Sequence, residues 1–161
     1  MQTDLRVTKY NPQLRDSSGK HLKDEWTSYS DVGKYFDGVL FEIEQYYEVE
    51  NKYINAIIAF FEANDIDNVK VENLEKFDLD DKIDDSMKEI FSKIENSSVI
   101  QLKSLQGLLK LILREYLWCE LKSLDDGVKI KFGYDYYMYF YSKKGIESIM
   151  NKVCDIGLYV D

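Results

Sequence analysis

The stretch LWCELKSLDDGVKIKFGYDYYMYFYS, Leu117 to Ser142, decides the fold. In Leu117 to Lys122 the side chains alternate: Leu117, Cys119 and Leu121 fall on one face, Trp118, Glu120 and Lys122 on the other, as in a strand with one buried side. Asp125, Asp126 and Gly127 supply a turn, because Asp-Gly tolerates the positive φ of a tight hairpin. Val128, Ile130 and Phe132 then alternate with Lys129 and Lys131. After Gly133, read as a turn or a bulge, Tyr134, Tyr136, Met138 and Phe140 share one face, and Asp135, Tyr137, Tyr139 and Tyr141 the other. So many rings suit a pleated surface and oppose a helix. The whole stretch reads as an antiparallel meander. Its tyrosines either pack a core or coat a recognition surface, since Tyr gives large contact area at low entropic cost.

Working outward, Asp4 to Tyr10 reads as a short strand closed by Asn11-Pro12. Trp26 anchors an irregular segment in which Ser30 caps a short helix from Asp31 to before Gly38. Glu42 to Asn64 is the clearest helix, with Ile43, Tyr46, Tyr47, Glu50, Tyr53, Ile54, Ile57, Ile58 and Phe61 at steps of three and four. Asn68 to Phe77 alternates weakly, as a strand or an ordered loop. Leu79 to Ile94 reads as a helix whose opening acids complement its dipole. A third helix runs from Val99 or Leu102 to Tyr116, with Gly107 marking close packing. A last helix from Ile146 ends at Gly157, and Leu158 to Val160 forms a final strand. Helices on either side of an antiparallel meander, without βαβ alternation, give an α+β fold with several α-helices packed on one face of the sheet. The expectation is one domain over residues 1–161.

Hydrophobic residues make 45% of the chain and charged residues 32%, a globular balance. The start MQTDLRVTKY is polar and lacks the apolar core of a signal peptide. Cys119 and Cys154 lie far apart, as in a reduced intracellular protein. The expected compartment is the cytoplasm. The net charge of −9 is uneven: residues 62–95 hold twelve acids against five bases, net −7, while residues 96–161 are net +1. Such a field repels nucleic acid and anionic membrane and attracts a basic partner. Its plain alternative is an acidic surface that keeps the chain in solution.

Chemistry-bearing motifs are sparse. The one histidine, His21, sits in a polar loop and reads as a surface residue without a catalytic role. No CxxC, HxxxH or phosphate-binding glycine loop occurs. DLDDKIDD, from Asp78, puts Ile83 where a calcium loop needs glycine. Cys119 is expected to be buried and inert, and Cys154 partly exposed. Paired carboxylates such as Asp81 and Asp85 carry no sign of burial, hence no reason for a shifted pKa. No cofactor or metal is expected and no catalytic residue is assigned.

Two segments carry a family resemblance. RVTKYNPQLRDSSGKHLKDEWTSYSDVG followed by EQYYEVENKYINAIIAFF resembles the start of small cytosolic bacterial immunity proteins of polymorphic-toxin systems, contact-dependent growth inhibition among them. LREYLWCELKS and FGYDYYMYFYS resemble the corresponding end. The resemblance implies a dedicated inhibitor that binds the C-terminal toxin domain of a cognate effector, often a nuclease such as a tRNase. It implies no chemistry by the inhibitor itself and carries over no site residue. An acidic protein suits the basic cleft of a nuclease. On charge and exposure, two surfaces are candidates for toxin binding: the acidic middle, Asp78, Asp80, Asp81, Asp84 and Asp85, slightly favoured, and the hairpin region, Asp125, Asp126 and Asp135 with Tyr137 and Tyr139. Neither direct nucleic-acid binding nor membrane association is expected, and homodimerisation is left open. The rival readings are a small cytosolic hydrolase using carboxylates beside the sheet, and a self-associating adaptor.

Overall fold

The structure is a computed structural model that describes residues 3–161. The meander forms as read: β6 (Leu117–Ser123), β7 (Val128–Phe132) and β8 (Met138–Ser142) are antiparallel neighbours. β1 (Thr3–Thr8) extends the sheet beyond β8 and β4 (Asn68–Lys76) extends it beyond β6. Short edges complete it: β5 (Val99–Gln101) beside β4, and β9 (Tyr159–Val160) beside β1, in the order β5-β4-β6-β7-β8-β1-β9. Edges of two or three residues offer little template for pairing with another chain.

Register makes the two faces unequal. Val71, Leu121, Ile130, Phe140 and Leu5 form one buried row across five strands. They share a core with residues of α1 (Ile43–Ala63), α2 (Asp85–Lys93), α3 (Gln106–Leu113) and α4 (Glu147–Ile156). All four helices therefore lie on that side, and the fold is α+β. Each such side chain is worth about 1.5–3 kcal/mol of burial. The alternate row, Lys70, Lys122, Lys129, Tyr141 and Asp4, points the other way, where the long stems of the lysines cover the strands and their heads stay wet.

α1 buries Tyr46, Glu50, Tyr53, Ile54, Ile57 and Phe61 at helical spacing, as expected, and Asn64 caps it by donating to the Phe60 carbonyl at 2.9 Å. Tyr47 departs from that stripe: it is exposed, with Arg114 stacked 5.2 Å from its ring centre. Gly107 is a close approach, since a Cβ there would collide with Ile90 Cδ1. Gly157, at φ 108°, ends α4 in the left-handed conformation. Trp26 is the anchor expected of it, stacked 4.5 Å from Phe41 in a small aromatic cluster with Tyr29 and Tyr46.

Several boundaries differ from the sequence reading. α2 starts at Asp85, not Leu79. The Asp80 carboxylate accepts from the Lys82 amide and the Tyr116 hydroxyl, and this local Asx turn competes with helix. Only Asp84, the N-cap, and Asp85 remain near the α2 dipole. Val99–Gln101 is strand and Leu102–Ser104 a single 3-10 turn, because Asn68–Lys70 offers an edge that β-branched Val99 and Ile100 fit. The short helix expected from Asp31 is a 3-10 turn, Tyr29–Asp31, capped by Ser28. It is followed by a hairpin of β2 (Tyr35–Phe36) and β3 (Val39–Leu40). Asp37 and Gly38, both at positive φ, turn that hairpin. Tyr134 to Tyr137 is a loop rather than the start of β8, with Asp135 and Tyr136 left-handed at φ 56° and 67°. Tyr134 is consequently 93% exposed instead of sharing a face with Met138.

Candidate functional site

Four strand ends and one helix end meet at one edge of the sheet: the end of β4, the start of β6, the end of β7, the start of β8 and the C-terminus of α3. They surround a cleft of about 670 Å³, a size typical of ligand and anchor pockets. Its floor is apolar, with Leu113, Leu117, Phe132 and Met138. Aromatic Phe77, Trp118, Tyr134 and Tyr136 line its sides, and Glu75, Glu115, Asp135 and Lys131 are exposed around it.

The polar groups of the wall bond to one another. Trp118 Nε1 donates to the Phe132 carbonyl at 2.8 Å and the Gly133 amide to the Tyr137 carbonyl at 2.8 Å. Tyr53 donates to the Tyr136 carbonyl at 2.6 Å and accepts from the Lys9 amide at 2.9 Å. Tyr136 donates to the Leu113 carbonyl at 2.6 Å, and its ring packs against Trp26 and Tyr53. That packing raises the Tyr136 pKa, burial being the main cause. Glu115, Asp135 and Tyr136 line the cleft with left-handed backbone, each costing about 1–3 kcal/mol and persisting only where the surroundings impose it. Here the imposing contacts are identifiable: the tyrosine bonds just described, and beside Glu115 the pair of Arg114 with Glu50.

That pair is bidentate, Arg114 Nε and Nη2 each 2.8 Å from a Glu50 oxygen, with Glu50 almost fully buried. Burial alone would lower the Arg114 pKa, but Glu50 outweighs it and the guanidinium holds its proton more tightly than usual. The pair ties α1 to the C-terminal turn of α3, and so to Glu115. Ser28 Oγ donates to Glu115 Oε2 at 2.7 Å and fixes that carboxylate's direction.

The sequence-predicted contact residues do not converge on one spot. Asp135 and Tyr137 line the cleft. Asp78, Asp80 and Asp81 follow Phe77 along the chain and are exposed, but they are not among the residues lining the cleft. The Tyr116 hydrogen bond is the first cause of a lowered Asp80 pKa. Asp84 is occupied as a cap, accepting from the Met87 amide at 2.8 Å, and Asp85 is exposed on α2. Asp125 and Asp126 sit at the opposite end of the meander, about 20 Å away along β6 at strand rise. Asp125 orders its own turn through Ser123 and Gly127, while Asp126 lies near Lys70 and Lys122. Tyr137 is not a free recognition side chain: it accepts from Arg15 at 2.6 Å, and Arg15 also pairs with Asp161. Tyr139 is half-buried, its ring against Gly133.

Glu75, Phe77, Glu115, Trp118 and Tyr134 were missed as site residues. Only strand pairing brings them together, and the sole local hint was an exposed aromatic beside a turn glycine, Gly133-Tyr134. His21 was misplaced as a surface residue. It is half-buried, 2.7 Å from Glu25, which Lys9 also contacts at 2.9 Å, with its ring against Tyr10. Cys119 is buried, which pushes its thiol up to about 12, and Cys154 is exposed. Among the described residues no group of three or more His, Cys, Asp or Glu side chains is placed to hold a metal ion. Among them, too, no helix is long and apolar enough to cross a membrane.

Comparison with protein-family models, curated proteins and solved structures finds no match to this chain.

Proposed function

We propose that this chain is an immunity protein: a cytoplasmic inhibitor that binds and neutralises the toxin domain of a bacterial polymorphic-toxin system such as contact-dependent growth inhibition. The toxin class it suits best is a basic nuclease. The observation that carries the reading is the cleft: an apolar, aromatic floor whose wall polar groups satisfy one another, with exposed carboxylates around it. Such a site offers surface and charge to a partner. A hydrolase would need a carboxylate removed from water to tune its pKa, and Glu75, Glu115 and Asp135 are exposed. The net charge of −9 adds long-range attraction for a cationic partner.

The test is protection. The proposed cognate toxin domain is expressed in cells with and without the chain, and the purified pair is titrated. Rescue of growth together with a 1:1 complex supports the proposal. Growth arrest despite abundant folded chain, with no complex, overturns it.

A further inference from the structure

We infer that the cleft seats an arginine side chain presented by the protein partner. The inference rests on the partner reading above for the source of that arginine, and on the cleft itself for its chemistry. Three features converge. First, aromatic faces are available: Phe77 and Tyr134 are 47% and 93% exposed, and Trp118 lines the same space. Guanidinium stacks on such rings and is more weakly hydrated than an ammonium, so it gives up less on entering. Secondly, the charge around the cleft is selective. Glu75, Glu115 and Asp135 face one cation among the lining residues, Lys131, which disfavours an anionic occupant and leaves the acids unused by a neutral one. Thirdly, the Glu115 carboxylate is already oriented. Ser28 takes one oxygen, the Glu50–Arg114 pair holds the preceding residue, and the second oxygen has no hydrogen-bond partner among the described residues. A pre-aimed acceptor suits the planar fork of a guanidinium. The apolar floor accommodates the methylene stem, and the cleft has room for a flanking apolar residue of the same segment.

The experiment uses two capped dipeptides, acetyl-Phe-Arg-amide and its neutral isostere acetyl-Phe-citrulline-amide. They are titrated against the full ¹⁵N-labelled chain while the indole signals of Trp118 and Trp26 are followed. The arginine peptide is expected to shift Trp118 saturably, leave Trp26, half-buried behind Tyr136, unmoved, and bind about tenfold tighter than the citrulline peptide, as a charge-assisted contact requires. E115Q should remove most of that preference, and D126N, at the far end of the meander, should retain it. Equal binding of the two peptides, or no saturable shift of Trp118 by either, overturns the inference. A parallel titration with the toxin domain separates the two claims. If the domain binds the wild-type chain and the E75Q/E115Q/D135N variant equally, the arginine seat falls while the inhibitor reading stands. If the domain does not bind but the arginine peptide does, the inhibitor reading falls and the seat stands.

Discussion

The Glu50–Arg114 pair makes a sharp energetic test of how the cleft is held. Glu50→Ala removes a side chain only 2% exposed and leaves the Arg114 guanidinium, itself only 12% exposed, beside Tyr29, Tyr47 and Met87 with no anion. An uncompensated buried charge costs about 3–5 kcal/mol, a large part of the ~5–15 kcal/mol that holds a typical domain. At about 2–4 °C per kcal/mol for a chain of this size, the midpoint should fall by ~6–20 °C. The desolvation argument has a second consequence. Replacing both partners with apolar residues of similar length, E50L/R114M, should recover most of the loss, because no charge is left stranded. Urea unfolding of the wild type, E50L, R114M and E50L/R114M closes the cycle, with Glu50→Ala measured beside it. A cost for Glu50→Ala below about 1 kcal/mol, the level of an exposed ion pair, would refute the reasoning. So would a double variant as unstable as the sum of the singles.

Other outcomes follow from the same contacts. In the native state a thiol reagent should label one of the two cysteines, Cys154, because burial keeps Cys119 protonated; unfolding should release both, and fast native labelling of Cys119 would contradict its placement. Glu25 is half-buried, which alone would raise its pKa, but Lys9 and His21 overcome burial and depress it. Its stabilisation is therefore complete above the unfolded value near 4.5 and lost as pH falls through the lower folded value. The melting temperature should drop across that acid range, and Lys9→Met should flatten the drop. Gly107→Ala gains about 1 kcal/mol of helix propensity but must displace Ile90, so it should stabilise an Ile90→Ala background and not the wild type, as read by urea midpoints. Asp126→Asn, at the far end of the meander, should leave toxin-domain affinity unchanged in a titration that shows a marked loss for the cleft variant E75Q/E115Q/D135N.

The parts of the fold open to reading in the chain were those with an unbroken period. The 117–132 alternation and the long stripe of α1 each state their buried face locally, so the meander, the α+β class and the helical side of the sheet follow. The misread boundaries share a different cause. α2 begins late because Asp80 is engaged by Tyr116, distant in the chain, and Val99–Gln101 is a strand because β4 presents an edge. Neither partner is visible in a local window. The hairpin at Asp37-Gly38 carries the same dipeptide that was recognised at Asp126-Gly127, but its strands are two residues long and show no alternation. The site was half legible for the same reason. The hairpin region, chosen for its acids and exposed tyrosines, contained Asp135 and Tyr137, which line the cleft, whereas charge density favoured Asp78, Asp80, Asp81, Asp84 and Asp85, which do not. The cleft itself arises from the register of β4 on β6 and of β7 on β8, which joins Glu75, Glu115 and Asp135 across the fold.

The most direct measurement is a calorimetric titration of this chain with the proposed cognate toxin domain, at two salt concentrations. A basic partner docking on an acidic-rimmed apolar cleft predicts a 1:1 complex with a Kd below about 1 µM, weakening as salt rises. No heat and no complex with a folded, active toxin domain would contradict the account.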